Sequence, residues 1–332
     1  MRHARISRIV LPVLGLLVAG TAPLVYSQDK GTGGGEKQIE AGMPPVMIHP
    51  TVEAAEHARG ELHSARPTRS KNLYYHGGYN GVGVETAPVV YLVFWGSQWN
   101  SNDPSGEASI LENFLTGVGG SNWLSIVTQY CQGVASGTTF CNGQGQAAGN
   151  QAGIFNSNNV WYDNTSAAPS SASQSQIAAE AVKAAAHFGV SDNSSVQYVI
   201  ASAHGNSPSG FGSYCAWHSS TSSSAGQIAY TNLPYITDAG ASCGANFNGL
   251  GANAGITIVE GHEMAETISD QFPNTGWLDS GNSEIGDKCA WIASGQGASA
   301  NTKLPDGSVV PVQSLWSNAF NSNAGGCVLL SN

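Results

Sequence analysis

Residues 89–95 read Val89-Val90-Tyr91-Leu92-Val93-Phe94-Trp95, seven apolar or aromatic residues in a row. An unbroken β-rich run of this kind, with no polar alternation, predicts a strand covered on both faces. Such a strand needs helices or loops above and below it. On its C-terminal side, Ser105 can cap a helix carrying Ile110, Leu111, Phe114 and Leu115, and a second helix follows through Trp123, Leu124 and Val127. Further on, Ser173 and Gln176 form a capping-box pattern ahead of Ile177, Ala181, Val182, Ala185 and Phe188, with Gly189 as the stop. Val196 to Ile200 is a second strand, and the Ser-, Gly- and Asn-rich stretches 132–172 and 205–226 read as loops. Strands alternating with helices predict an α/β, mixed α+β fold: a central sheet with flanking helices and long loops gathered around one end.

The chemistry concentrates in residues 254–270, AGITIVEGHEMAETISD. Ile258, Gly261, Ala265 and Ile268 recur at helical spacing, so this is a helix with a buried face, stopped by Pro273. It carries His262-Glu263-Met264-Ala265-Glu266, an H-E-x-x-E pattern. His262 and Glu266 lie one turn apart and project side by side, the geometry needed to share a metal ion. Glu263, rotated by one position, can act as general base toward water at the metal, as the Glu of H-E-x-x-H hydrolases does. A third ligand is required, and Glu284 and Asp287 follow 18 and 21 residues after Glu266. Asp287, beside Cys289, is slightly favoured over Glu284. One histidine and two carboxylates cancel the charge of Zn²⁺; the oxygen-rich set also admits Mn²⁺ or Ca²⁺.

A plainer reading competes with this one. Glu260, Glu263, Glu266 and Asp270 could form a solvated acidic helix face with His262 beside it. The apolar opposite face, Gly261 and the nearby acid pair weigh against it. Two further histidines are candidates for polarising a substrate carbonyl or adding a ligand: His204, just past the second strand, and His218, in Cys215-Ala216-Trp217-His218. His187, late in its helix, is a favourable charge at a helix C-terminus.

The ends and the charge distribution describe an exported chain. Arg2, Arg5 and Arg8 precede an apolar run from Ile9 to Val25, and Val25-Tyr26-Ser27 fits a cleavage site, so residues 1–27 read as a signal peptide. Residues 28–71 are Gly-rich, then charged and Pro-containing, and read as a linker or a removable pro-segment in which His49, His57 or His63 could occupy the metal. Residues 72–332 read as one catalytic or binding domain. Its six cysteines predict three disulfides, with neighbour pairing 131–141, 215–243 and 289–327 expected. Nine of the 12 Lys and Arg fall in residues 1–71, leaving Lys183, Lys288 and Lys303 against 16 acidic residues in the rest, a formal charge of −13. A surface with so few cations excludes nucleic acid and anionic lipid as electrostatic partners. No G-x-S-x-G elbow or P-loop is present.

Several segments together resemble a known family. Leu73-Tyr74-Tyr75-His76-Gly77-Gly78, Phe94-Trp95-Gly96 with Trp99, Cys215-Ala216-Trp217-His218, Gly261 to Glu266, and Glu284-Ile285-Gly286-Asp287-Lys288-Cys289 occur in the order found in phosphate-induced, EXORDIUM-like secreted proteins of plants and microbes. The resemblance covers roughly residues 73–292. Where the plant members have Cys-Gly-Phe-His, this chain has Ala216-Trp217 between Cys215 and His218. The resemblance implies secretion and a role for these segments, and brings no agreed reaction with it.

Three functions are compatible with these residues. The first is a secreted, extracellular or periplasmic metal-dependent hydrolase, a zinc peptidase in its sharpest form. It would use His262, Glu266 and Asp287 or Glu284 as ligands, Glu263 as base, and His204 or His218 to steady the oxyanion, with a protein or peptide as substrate. The second is a non-enzymatic matrix or glycan-binding protein, with a structural metal and exposed tryptophans that contact cell-wall glycan. The third is a glycosidase using a carboxylate pair such as Glu263 and Asp287.

Overall fold

A computed structural model describes residues 35–64 and 72–331, which belong to one compact unit spanning 31–332. The signal-like residues 1–27, along with 28–34 and 65–71, lie outside the described residues. The run at Val89–Trp95 is an interior strand of a seven-stranded mixed sheet. In chain order its strands are β1 (Gly35–Lys37), β2 (Val46–His49), β3 (Val89–Trp95), β4 (Val160–Asp163), β5 (Val196–Ser202), β6 (Ala216–Ser223) and β7 (Gly226–Leu233). Across the sheet the order is β1-β2-β6-β7-β5-β3-β4. The β4, β3, β5 and β7 strands run parallel to their neighbours in that half, whereas β7, β6, β2 and β1 pair antiparallel. Residues 35–64, from the stretch read as linker or pro-segment, thus contribute the two outermost strands at one edge, followed by helix α1 (Val52–Ser64).

Strand parity assigns the two faces. Val93, Tyr198, Ile200, Trp217, Ile228 and Tyr230 join Val46 and Ile48 in a core covered by α3 (Gln174–Phe188) through Ile177, Ala181 and Ala184. Leu92, Phe94, Val199, Ala201 and Ala216 point the other way. They pack in a second core with α2 (Glu107–Val118) and α4 (Ala254–Ser269). Met47 of β2 lies opposite His218 of β6, and His49 opposite Ala216. By this alternation His49 and His218 project toward the face that α4 covers.

Most local expectations hold. The α3 capping box forms between Ser173 and Gln176, and Gly189 closes the helix at φ 67°. All three disulfides join neighbours: Cys131–Cys141, Cys215–Cys243 and Cys289–Cys327, with Cα separations of 6.2, 5.4 and 5.6 Å. Four details differ. Ser105 does not cap α2; its hydroxyl bonds Thr237 Oγ1 at 2.8 Å, while Asp103 accepts from the Glu107 and Ala108 amides at 2.8 and 3.2 Å. An anionic cap complements the helix dipole better than a hydroxyl. Leu124–Gln129 is a 3₁₀ segment rather than an α-helix. Residues 160–163, read as loop, are β4, a short edge strand paired with β3. Residues 216–223, also read as loop, are β6. Its apolar alternation is missing because, after Ala216, the same face carries His218 and Ser220, which are polar and buried.

Glu107 yields a pH prediction. It is 1 % exposed and accepts a bond from the Ile236 amide at 2.9 Å. Burial pushes its carboxyl pKa up to about 8, with Asp103 and Asp238 adding repulsion. The folded chain therefore keeps a proton that the unfolded chain releases above about pH 4.3, so stability falls as pH rises between these two values. Glu107→Gln, which keeps the acceptor oxygen, should flatten that decline and gain on the order of 2 kcal/mol at pH 8. Urea unfolding midpoints of the two proteins at pH 5 and pH 8 check it.

Candidate metal centre

Every residue of α4 is buried. Glu260, Glu263, Glu266 and Asp270 are each 0 % exposed, so the solvated acidic face does not exist. Gly261 explains how the helix packs so closely: a Cβ there would come 3.0 Å from Trp123 Cη2 and 3.2 Å from Phe114 Cζ. Asp270, at the helix end, accepts from the Asn274, Thr275 and Gly276 amides and so has a structural use. Glu263 and Glu266 face a cluster that gathers α4, β6 and the 284–287 turn.

Within that cluster, His262 Nε2 lies 3.0 Å from Glu266 Oε2. The other Glu266 oxygen accepts from the Gly286 and Asp287 amides at 3.1 and 2.8 Å, which fixes the carboxylate. His218 Nδ1 is 3.1 Å from Glu263 Oε2 and 3.8 Å from Glu266 Oε2, and its Nε2 is 3.5 Å from Glu284 Oε1. Ligand atoms of His262, Glu266 and Asp287 all fall within 4.8 Å of one another, as do those of His218, Glu263 and Glu266. Glu284 is turned to His218, so Asp287 joins the H-E-x-x-E pair. His49, on β2, lies with its ring flat on that of His262, centroids 3.8 Å apart. His57 is exposed on α1, and the side chain of His63 is outside the described residues.

Electrostatics show what such a cluster demands. Burial raises the pKa of Glu284 and Asp287 well above the carboxylate range, with the Glu266 charge adding to it, and burial likewise raises Glu263. For Glu266 burial is outweighed by His262, and its pKa falls below the ordinary value. Burial opposes charge on the histidines too, but Glu266 lifts His262 to about 9. Glu284 and Glu263 likewise outweigh burial and hold His218 well above its usual value. Carboxylates out of water need compensating positive charge. Among the described residues that compensation comes from histidine alone: Lys183 and Lys288 pair with Asp163 and Asp279.

The donor set fits a divalent cation. Beyond the histidine–carboxylate ion pairs, none of good hydrogen-bond geometry at these atoms, both His262 nitrogens, Glu263 Oε1, Glu266 Oε2, Asp287 Oδ1 and both Glu284 oxygens are buried without a hydrogen-bond partner. Buried polar atoms are rarely left so. These groups could hold a metal ion, through one nitrogen and two carboxylate oxygens in the His262, Glu266 and Asp287 set.

Gly286 is the functional position that sequence reasoning passed over. A Cβ there would lie 2.6 Å from His262 Nδ1 and 2.8 Å from Glu266 Oε1. A residue without a side chain carries no chemical signal, and only its neighbours reveal its use. Gly286→Ala should weaken metal binding by about 10–100-fold, the usual penalty for displacing the support of a ligand. Competition titration against a chromophoric chelator measures this.

Other expectations separate cleanly. His204 is 38 % exposed and its Nδ1 sits 2.6 Å from Asp238 Oδ1, with no contact to the cluster. It lies past the C-terminal end of β5, whereas α4 packs beside β6 and β2. His187 stacks on Trp161 at 4.0 Å. None of the tryptophans is exposed: Trp95 and Trp161 are half-buried and the other six are buried. A glycan platform of exposed tryptophans is therefore absent.

Protein-family models, curated proteins and solved structures were compared with the chain. None matches. Three disulfides fit a compartment outside the reducing cytosol. Among the described residues no helix is long and apolar enough to cross a membrane.

Proposed function

We propose that this chain is a secreted metal-dependent hydrolase of the EXORDIUM-like kind, a peptidase that holds zinc on His262, Glu266 and Asp287. The observation that carries this reading is the convergence of those three donors within 4.8 Å, beside a Glu263 carboxylate with one unpartnered oxygen. Two carboxylates and a neutral histidine balance the charge of Zn²⁺, and a divalent ion there supplies Lewis acidity that polarises a carbonyl and eases loss of a proton from water. Glu263 receives that proton. Its raised pKa, caused by burial, brings it closer to neutrality and suits it to hold and return a proton. His218 has a carboxylate at each ring nitrogen, so its part is to position Glu263 rather than to steady an oxyanion. His204, bound to Asp238 elsewhere, has no part in this step.

A second reading has its own support. His262 and Glu266 are shut away from solvent and Asp287 is half-buried with its Oδ1 covered, much as in closed structural metal sites. In that reading the ion, Ca²⁺ or Mn²⁺ included, holds together an extracellular matrix protein with no reaction. Elemental analysis of the purified protein, with casein and gelatin hydrolysis measured with and without chelator, separates the two. Zinc at one per chain with chelator-sensitive hydrolysis supports the peptidase. Bound metal without hydrolysis in any processed form supports the structural centre, and absence of metal defeats both.

A further inference from the structure

The chain's own N-terminal strand helps to close the site. His49, Glu263, His262, Glu266, His218 and Glu284 are all 0 % exposed. The His49 ring stacks on His262 with planes 4° apart, and Trp291 lies against it at 5.0 Å. Both His49 nitrogens lack a hydrogen-bond partner despite full burial. A buried imidazole satisfied by nothing else costs stability, so the ring is held here for what it covers rather than for bonds of its own. Ligand atoms of His49, His262 and Glu263 fall within 4.8 Å of one another.

Topology says what this strand displaces. The β1 and β2 strands are the outermost pair, so the five strands β6-β7-β5-β3-β4 keep every ladder among themselves without them. The β2 strand lies antiparallel to β6 with Met47 opposite His218, and the Cys215 amide donates to the His49 carbonyl at 2.9 Å. Without β2, the edge of β6 beside His218 would present unpaired backbone groups, which is how an extended peptide is captured as an added strand. The segment is secured by Val46, Met47 and Ile48, by Arg59 donating to the Ala290 and Trp291 carbonyls, and by Trp291 Nε1 donating to the Pro50 carbonyl at 2.7 Å.

We propose that β2 is a removable cover of the metal site: His49 lies across the His262 ring, and β2 occupies the β6 edge on which an extended peptide substrate docks. The proposal rests on the metal-hydrolase reading and extends it to regulation: with residues 35–64 in place the protein is latent. It also reconciles the closed cluster with a catalytic use, since the cover is a detachable edge.

Two experiments on the full chain test this. In the first, Co²⁺ replaces the native metal, and wild type is compared with His49→Ala, which removes the ring over His262, and with His49→Phe, which keeps one. Metal should pass to a chelator at least about tenfold faster in His49→Ala and at the wild-type rate in His49→Phe, since local opening sets access to a buried site. Equal rates in all three proteins overturn the cover. In the second, a site-specific protease sequence is inserted between Ser64 and Asn72, and casein hydrolysis is compared before and after cleavage and removal of the N-terminal peptide. Hydrolysis should rise at least about tenfold with metal content unchanged, the gain expected when an occupant held at high effective concentration is released. Equal hydrolysis by cut and uncut protein overturns the latch. A wild-type protein that binds no metal defeats the hydrolase reading itself. Metal binding without hydrolysis in either form removes the peptidase and its latch.

Discussion

Glu263→Gln should bind metal at the wild-type stoichiometry and lose hydrolysis by about 10²–10⁴-fold, the range supplied by a positioned general base. The substitution is nearly isosteric. Its amide can still meet His218, which lies 3.1 Å from Glu263 Oε2, so the cluster keeps its shape. What disappears is the capacity to accept and return a proton. The set His262, Glu266 and Asp287 is untouched, and full metal content in the variant would place Glu263 outside the ligands. If metal is lost together with activity, Glu263 is a ligand, as its grouping with His218 and Glu266 also permits, and its role as base falls. Metal analysis and hydrolysis on the same sample decide between these outcomes.

Removing the metal should cost stability as well as activity. Stripped by chelator at pH 7, the protein should lose about 3–4 kcal/mol, corresponding to an ion present at 100–1,000 times its dissociation constant. The physical cause is the company the ligands keep. Glu263, Glu266 and Glu284 are 0 % exposed, and without a cation the ion pairs they keep among the described residues are with His218 and His262. Buried carboxylates must then be neutralised by protons or be paid for in desolvation. Urea denaturation of stripped and reloaded protein measures the difference. Coincident unfolding curves would mean that the histidines and bound protons suffice, and would remove the metal from the energetics of the fold.

Much of the framework was legible because it is written in local patterns. An apolar run with no alternation reported a doubly covered strand at Val89–Trp95. Ser173, Gln176 and Gly189 marked both ends of α3, because caps act within one turn. Neighbour pairing of the cysteines held because short loops bring their ends together most readily. The H-E-x-x-E helix was legible for the same reason, since residues four apart share a face wherever the helix lies.

What remained hidden depended on distant partners. The β6 strand looks like loop in isolation: it is a strand because β7 and β2 pair with it, and its inward positions hold His218 and Ser220. His204 and His218 were equal candidates until the sheet put one beside Asp238 and the other beside Glu263. Glu284 and Asp287 are three residues apart, and only the fold of their turn aims one at His218 and the other at His262 and Glu266.

By itself, then, the sequence determined the α4 helix with His262 and Glu266 one turn apart, and the doubly covered strand that demands layers on both sides, and it favoured the neighbour pairing of the cysteines. Each follows from chemistry within a few dozen residues. The tertiary structure decided which acid completes the ligand set, that Gly286 leaves room for it, and that His49, more than 200 residues before His262, lies against that ring. Strand register is a long-range choice that shifts a side chain from one face to the other with every residue of slip, so no local pattern specifies it.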